Sequence, residues 1–337
     1  MVMALAALTA AGGSAQERHW SVGSSAQVDL WYHGLAVVGF QGFGAVPLYE
    51  PGYAAAVGAA KRAAGLSPTL LDNRAPALLD AFRQDSIFEV LHFVPVYFGA
   101  TSRVEMLDAL DAVAHDPKRA PDRVVPGARP GTVILARLLT TAEERRVLAD
   151  FVAALRDEWS RFFRAYRAES LLPDLDRRVA ATRRRLGGSV EPALGPFLER
   201  WHLASGVVLL SPAVGLDGRF FDGDPRSDRD NIVVVGTDGP PDEGQEALRV
   251  VREWCYPAVR KATEESSPPD RTAAEAESGR AAVRCGGLLL ERRRPEDAAD
   301  YRRVFLDAGA EPTAANLART FPIPAFLESG LERLLQR

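Results

Sequence analysis

The stretch from Thr141 to Tyr166 places the strongest constraint on the fold. Thr141 stands three residues before Glu144, the spacing of a capping box, in which hydroxyl and carboxylate each satisfy a backbone N–H at the start of a helix. Behind it Val147, Phe151, Leu155, Trp159, Phe162 and Tyr166 recur at four- and three-residue steps, so one helix carries a continuous apolar and aromatic stripe. Such a stripe must be covered along its length, which predicts a central post with other helices packed around it. A ligand groove lined by the aromatics is the competing reading, and a buried core face is favoured over it.

Helical patterns surround the post. Val28, Trp31, Leu35 and Val38 suggest a buried helix over Gln27–Phe40, with a strand as the alternative, and further helical patterns cover 52–64, 76–93, 102–114, 174–186 and 191–203. Pro95 is expected to end the 76–93 helix, and Gly187-Gly188 to close the one over 174–186. Pro117, Pro121, Pro126 and Pro130 mark 116–131 as a loop or linker. Near the end of the chain Pro295 can open a helix through Tyr301, Val304 and Phe305, and Pro324 another through Leu327, Leu331 and Leu335. Only two runs read as strands: Gly206–Ser211 and Asn231–Gly236, both apolar, β-branched and bounded by turn residues. The expected class is therefore α+β, predominantly helical with a small β-sheet, in a chain whose 337 residues allow one large domain or two small ones.

Charge and composition remove several functions. With 41 basic and 45 acidic residues the chain has no global basic field for nucleic acid, and no apolar run approaches the roughly 20 residues of a membrane span. Only Lys61, Lys118 and Lys261 are lysine, so clusters such as Arg183-Arg184-Arg185 and Arg292-Arg293-Arg294 reflect an arginine-rich composition and read as solvated helix faces. Residues 1–15 read as a signal peptide: Met1–Ala10 is apolar apart from Thr9, and small residues lead to cleavage after Ala15, although a positive n-region is missing. The expected localisation is export, periplasmic or secreted, where disulfides form.

Gly39, Gly42 and Gly44 run into Val46-Pro47-Leu48 instead of opening a helix, so they form no dinucleotide fingerprint. The carboxylates Asp222, Asp224, Asp228 and Asp230 do not match an EF-hand loop and read as a solvated loop. His19, His33, His92, His115 and His202 show no metal-type spacing, and no Walker loop, Gly-x-Ser-x-Gly elbow or Cys-x-x-Cys pair is present.

One segment carries chemistry by pattern. After Pro240-Pro241, with Asp242 as a cap, a helix is expected through Leu248, Val251, Cys255 and Val259, and on it lies Arg252-Glu253-Trp254-Cys255-Tyr256. In a His-Glu-x-x-His helix two imidazoles four residues apart share a face and grip zinc, while the glutamate activates a water. From Gly206 to Lys261 the chain resembles an uncharacterised bacterial family of zincin-like proteins of gluzincin type. In that family a leucine-serine-proline segment and a hairpin precede a His-Glu-aromatic-x-His helix, and the matching residues here are Leu210-Ser211-Pro212, Ile232–Gly236 and Arg252–Tyr256. The resemblance implies a zincin-like core in the C-terminal half: a helical N-terminal region over 16–204, and a degenerate zincin-like region over 205–337 packed against it.

On that resemblance the metal histidines fall on Arg252 and Tyr256 and the general base on Glu253. Arginine has no lone pair for zinc, and a third ligand from a later helix, about 271–293, meets Cys285 and glycines where glutamate is expected, with Glu275, Glu277 and Glu291 flanking. Trp254 and Cys285 are cleft candidates. Cys255 and Cys285, on helices that face each other in such a core, are expected to form a disulfide, with a pair of free buried thiols as the competing reading. The implied function is a noncatalytic pseudoenzyme, without cofactor, that binds a peptide or protein partner in the former cleft. An active metallopeptidase with zinc on unusual ligands, and a scaffold with no working cleft, are the alternatives. Arg252 and Glu253 either form a charge pair in an anion-binding pocket or are ordinary polar positions of a helix.

Overall fold

The structure, a computed structural model, describes residues 19–41, 46–84, 87–99, 101–223, 231–237 and 239–336. The signal-peptide segment, Gly42 and Gly44, and the acidic loop over 224–230 therefore lie outside the described residues. The chain is predominantly helical with one small sheet, the α+β class that its patterning predicts.

Strand β1 (Trp20–Gly23) leads into α1 (Ala26–Val38), α2 (Tyr53–Ala63), α3 (Leu70–Gln84), α4 (Ile87–Phe98), α5 (Arg103–His115), the short α6 (Ala120–Arg123) and α7 (Arg129–Leu138). Two expectations fail here. The helix over 76–93 is divided between α3 and α4, and Pro95 lies inside α4 instead of ending it. Proline at 95 leaves the Leu91 carbonyl without its helical donor, and the Trp31 indole N–H of α1 donates to that oxygen at 2.7 Å. The 116–131 segment is also not a loop, because Pro121, Pro126 and Pro130 occupy first-turn positions, where a missing N–H costs nothing.

The capping box at Thr141 and Glu144 forms in both directions and opens α8 (Ala142–Glu158). The helical path then runs on through a π-turn at Trp159–Phe163, α9 (Arg164–Tyr166), a second π-turn at Arg167–Leu171, α10 (Leu172–Arg185), a third at Leu186–Val190 and α11 (Glu191–Arg200). Gly187 and Gly188 therefore sit within a π-turn and do not close a helix. Each π-turn admits an extra residue and rotates the faces that follow, so the path can curve over two cores.

Strands β2 (Gly206–Ser211), β3 (Arg219–Phe221) and β4 (Asn231–Gly236) join β1 in a sheet of order β1-β2-β4-β3. The two strands legible in the sequence pair in parallel, as do β1 and β2; the antiparallel partner of β4 is the short edge strand β3. The remaining helices are α12 (Glu246–Trp254), α13 (Tyr256–Glu264), α14 (Pro268–Ala276), α15 (Ser278–Arg293), α16 (Pro295–Phe305), α17 (Ala314–Thr320) and α18 (Ala325–Gln336). Gln245, not Asp242, precedes α12, and the helix expected to run on to Val259 breaks at Cys255.

The sheet is a wall between two hydrophobic cores. Val234, with Leu209 and Ile232 beside it, packs toward Trp31, Phe82, Phe151 and Phe163; Val208, Leu210, Val233 and Val235 pack toward Trp254, Val283, Tyr301 and Leu331. Cover on both faces explains why the strands read as unbroken apolar runs. The division expected at 204/205 does not follow these cores, since Trp20 of β1, Leu175 of α10 and Leu194 of α11 belong to the second.

A strap crosses the carboxyl end of the sheet. Tyr49 and Val214 form an isolated antiparallel bridge, and Gly215 and Asp217 donate their backbone N–H groups to Leu48 and Pro47, each at 3.0 Å. Gly236 lies under it: a Cβ there would stand 2.0 Å from the Val214 carbonyl oxygen and 2.5 Å from that of Gly215. Gly236→Ala is expected to lower the free energy of unfolding by about 1–3 kcal/mol in urea denaturation. Gly23→Ala, where a Cβ meets nothing within 4 Å, should stay within about 0.5 kcal/mol of wild type. Equal effects of the two substitutions would refute the close approach.

Candidate functional site

Pro257 decides the local geometry at the end of α12. It has no N–H to give the Glu253 carbonyl, so α12 ends, Cys255 makes the turn, and α13 starts at Tyr256 with Pro257 in its first turn. Arg252 and Tyr256 nevertheless remain neighbours across the break: Arg252 Nη2 donates to the Tyr256 hydroxyl at 3.0 Å, with the guanidinium carbon 5.4 Å from the ring centre.

Arg252 has no exposed surface. Its Nη1 pairs with Glu253 Oε1 and its Nη2 with Asp217 Oδ1. Asp217 stands at the end of the strap, and its second oxygen meets Arg219 of β3 at 3.2 Å. Two guanidiniums and two carboxylates thus form one cluster joining α12, the strap and the edge strand, with Tyr256 at its side. Within it Arg252 Nε and Glu253 Oε2 are buried and make no hydrogen bond among the described residues.

The charges are strongly biased. Burial disfavours the Arg252 cation, but Glu253, Tyr256 and Asp217 outweigh that and hold its proton more firmly than usual. Burial pushes Glu253 up from 4.5 to about 7, opposed only in part by Arg252. Burial also acts upward on Asp217, yet Arg219 and Arg252 keep its carboxyl below the ordinary range. Tyr256 is pushed above the usual phenol range by burial.

The other sequence candidates are placed as follows. Trp254 is fully buried and packs against Trp20 in the second core, with ring centres 5.2 Å apart. Cys255 and Cys285 are buried free thiols; burial raises Cys255, and Cys285 beside it adds to the shift. The helix expected over 271–293 is two, α14 and α15, and the α15 residue that faces Arg252 is Gly279, earlier than the Cys285 to Gly287 stretch. Gly286 and Gly287 instead admit Tyr301 and Leu317, whose side chains a Cβ at either position would strike. Glu277 pairs with Arg280, Glu291 with Arg302, and Glu275 is exposed. Among the described residues no group of three or more His, Cys, Asp and Glu side chains is placed to hold a metal ion.

Sequence reasoning missed the partners Asp217 and Arg219, and also a second buried polar cluster. His33 Nε2 meets Glu158 Oε1 at 2.9 Å, Lys61 Nζ lies 2.8 Å from the same carboxylate and 2.8 Å from Asp72, and Tyr53 closes the far side of His33 at 3.1 Å. One signal was present: Glu158 falls between Leu155 and Phe162 on the apolar stripe of the post, where a lone carboxylate demands a buried cation. In this cluster His33 is held below its ordinary value by burial, and Glu158 is lowered by His33, Lys61 and Thr69 despite its own burial.

Chemically, the Arg252 cluster balances two guanidiniums against two carboxylates away from solvent, and neither guanidinium carries a lone pair for a metal. Comparison of the chain with protein-family models, with curated proteins and with solved structures finds no match.

Two outcomes are expected of mutation and pH. Arg252→Met leaves Glu253 and Asp217 buried without their shared cation and should cost about 3–5 kcal/mol of unfolding free energy. An unfolded glutamate releases its proton near 4.5 whereas folded Glu253 keeps it to about 7, so stability falls as pH rises through that window. Glu253→Gln removes that fall, and the wild-type and variant profiles should diverge by roughly 3 kcal/mol across it. Asp29, pushed up to about 6 by burial, contributes to both profiles alike and cancels. Parallel profiles in urea denaturation on either side of the window would show that Glu253 does not titrate there.

Proposed function

We propose that this chain is a noncatalytic, metallopeptidase-like protein: an exported pseudoenzyme, without zinc, that binds a peptide or protein partner at the Arg252 site and does not cleave it. The observation that supports the reading is the company of Arg252. Tyr256 stands four residues on and meets it across the helix break, Glu253 stands beside it, and Gly279 of α15 lies near its Nη2. These are the positions to which the resemblance assigns two metal ligands and a general base, and the glycine contributes no ligand of its own. A guanidinium there supplies the positive charge that a metal ion supplies in an active enzyme, and its pairing with Asp217 and Glu253 leaves the would-be base holding an arginine instead of a water.

The reading is tested on the purified full chain by metal analysis together with a peptidase assay on wild type and Glu253→Gln. The expected result is far less than one zinc per chain after incubation with zinc and dialysis, with no cleavage that differs between the two proteins. One tightly held zinc per chain, or cleavage that Glu253→Gln abolishes, would overturn the proposal in favour of an active metallopeptidase using Tyr256 and Glu253.

A further inference from the structure

The first π-turn decides which side chains surround Trp159. In an α-helix the Trp159 carbonyl accepts from the N–H four residues on, at Phe163; in the π-turn it accepts from that of Arg164. The Trp159 N–H in turn donates to the Arg156 and Leu155 carbonyls. Arg156, Trp159 and Arg164 therefore stand in consecutive turns of the helical path, while Phe162 and Phe163 are buried in the first core. A third guanidinium arrives from another element. Arg103, at the start of α5, has its guanidinium carbon 4.2 Å from the centre of the Trp159 ring.

Positive charge is in excess at this corner. Arg156 Nη2 pairs with Asp108 of α5 at 2.8 Å, but among the described residues Arg103 and Arg164 make no ion pair and no side-chain hydrogen bond. Glu105, two residues beyond Arg103, has its carboxylate turned back onto the Ser102 N–H at 2.8 Å in the α5 capping box. Burial disfavours the Arg103 cation, and Arg156 and Arg164 disfavour it further, with Asp108 opposing them. Like charges crowded in this way are relieved by an incoming anion.

The corner is open to solvent. Arg164 is exposed, and Arg156 and Asp108 keep 41% and 60% of their side-chain surface. Apolar surface is exposed beside the charges: Trp159 is only half-buried, and Val104, next to Arg103, is 48% exposed. Val104 stands four residues before Asp108, on the α5 face that meets Arg156.

We infer that this corner binds an organic phosphate monoester as its dianion, with Arg103 and Arg164 on the phosphate oxygens, Arg156 beside them, and Trp159 and Val104 against the esterified carbon group. Such a phosphate carries about −1.5 to −2 charges at pH 7, which matches the two guanidiniums that Asp108 leaves unanswered, and its oxygens suit the guanidinium fork. Free phosphate shares the charge but offers nothing to the apolar side chains. The inference shares no residue with the Arg252 site and stands apart from the reading given to it.

The test is calorimetric titration of the full chain at neutral pH with phenyl phosphate, with phenyl sulfate, which has the same shape but a single charge, and with inorganic phosphate. Wild type is expected to bind phenyl phosphate roughly tenfold more tightly than phenyl sulfate, and more tightly than inorganic phosphate. Arg164→Gln, whose exposed side chain has no partner to lose, should keep the thermal unfolding of wild type and weaken phenyl phosphate by roughly tenfold, as should Arg103→Gln. Arg184→Gln, which removes an equal charge from an exposed position of α10, should leave binding unchanged. No binding of phenyl phosphate, equal binding of phosphate and sulfate esters, or equal losses in Arg164→Gln and Arg184→Gln would overturn the inference. Inorganic phosphate binding as tightly as phenyl phosphate would overturn the ester as the ligand. Should Arg103→Gln fail to fold, the comparison of wild type with Arg164→Gln still decides.

Discussion

A guanidinium with no exposed surface has to be answered where it stands, and the region around α12 is arranged to answer Arg252. Lysine in such a place can shed its proton; arginine cannot, so its charge is permanent and must be matched. The match draws on separate parts of the chain: Glu253 from the same turn, Asp217 from the strap, and Tyr256 from beyond the helix break. Each has its position set elsewhere. Pro257 ends α12 yet leaves Tyr256 within reach of Arg252, and the strap is pinned to Pro47 and Leu48 of the preceding half. One buried charge thereby ties the second core to a segment that lies far from it in sequence.

The first core solves a similar problem in its own way. Glu158 ends α8 on a face otherwise apolar, and the chain gathers His33, Lys61 and Thr69 around it from α1, α2 and the turn before α3. The π-turn that follows at once places Phe162 and Phe163 against the imidazole, with ring centres 6.3 and 4.2 Å away, so aromatic rings from the wider turn cover the cluster. Between the two clusters stands the sheet, and Arg219 of its edge strand spans the gap, paired with Asp217 and lying 5.8 Å from the Phe93 ring centre of α4. The cores are distinct in packing but joined by polar contacts at the carboxyl end of the strands.

Legibility in the sequence followed the range of the interactions. The α8 capping box and stripe, the two apolar strands and the helix that carries Arg252 are written in local spacing, and each is present. What local spacing could not show was where a proline would be tolerated. Pro95 stays inside α4 because a tryptophan from another helix uses the carbonyl it vacates, a contact across sixty residues. Gly187-Gly188 looked like a stop, yet a π-turn carries the path through it. The short strands β1 and β3 escaped for the opposite reason: at four and three residues they carry too little pattern, and only pairing with β2 and β4 defines them. At the candidate site, Arg252, Glu253 and Tyr256 were visible as a spacing, but Asp217 lies 35 residues before Arg252 and has no spacing to announce it.

The persistence of charge at this site is the last point, and it discriminates between packing and binding. A site that had merely lost a metal and become structural would be most stable filled with apolar side chains, because a buried ion cluster is commonly matched or bettered in stability by hydrophobic residues of similar volume. The second core shows that this chain can pack such residues tightly, with Trp254, Tyr301 and Leu331 fully buried. At Arg252 it keeps two guanidiniums and two carboxylates instead, and among the described residues Arg252 Nε and Glu253 Oε2 have no hydrogen bond. Local departures from the most stable packing concentrate where a protein does something other than fold. The charge kept around Arg252 is a departure from apolar packing that a purely structural interior does not require, and the proposed binding role rests on it.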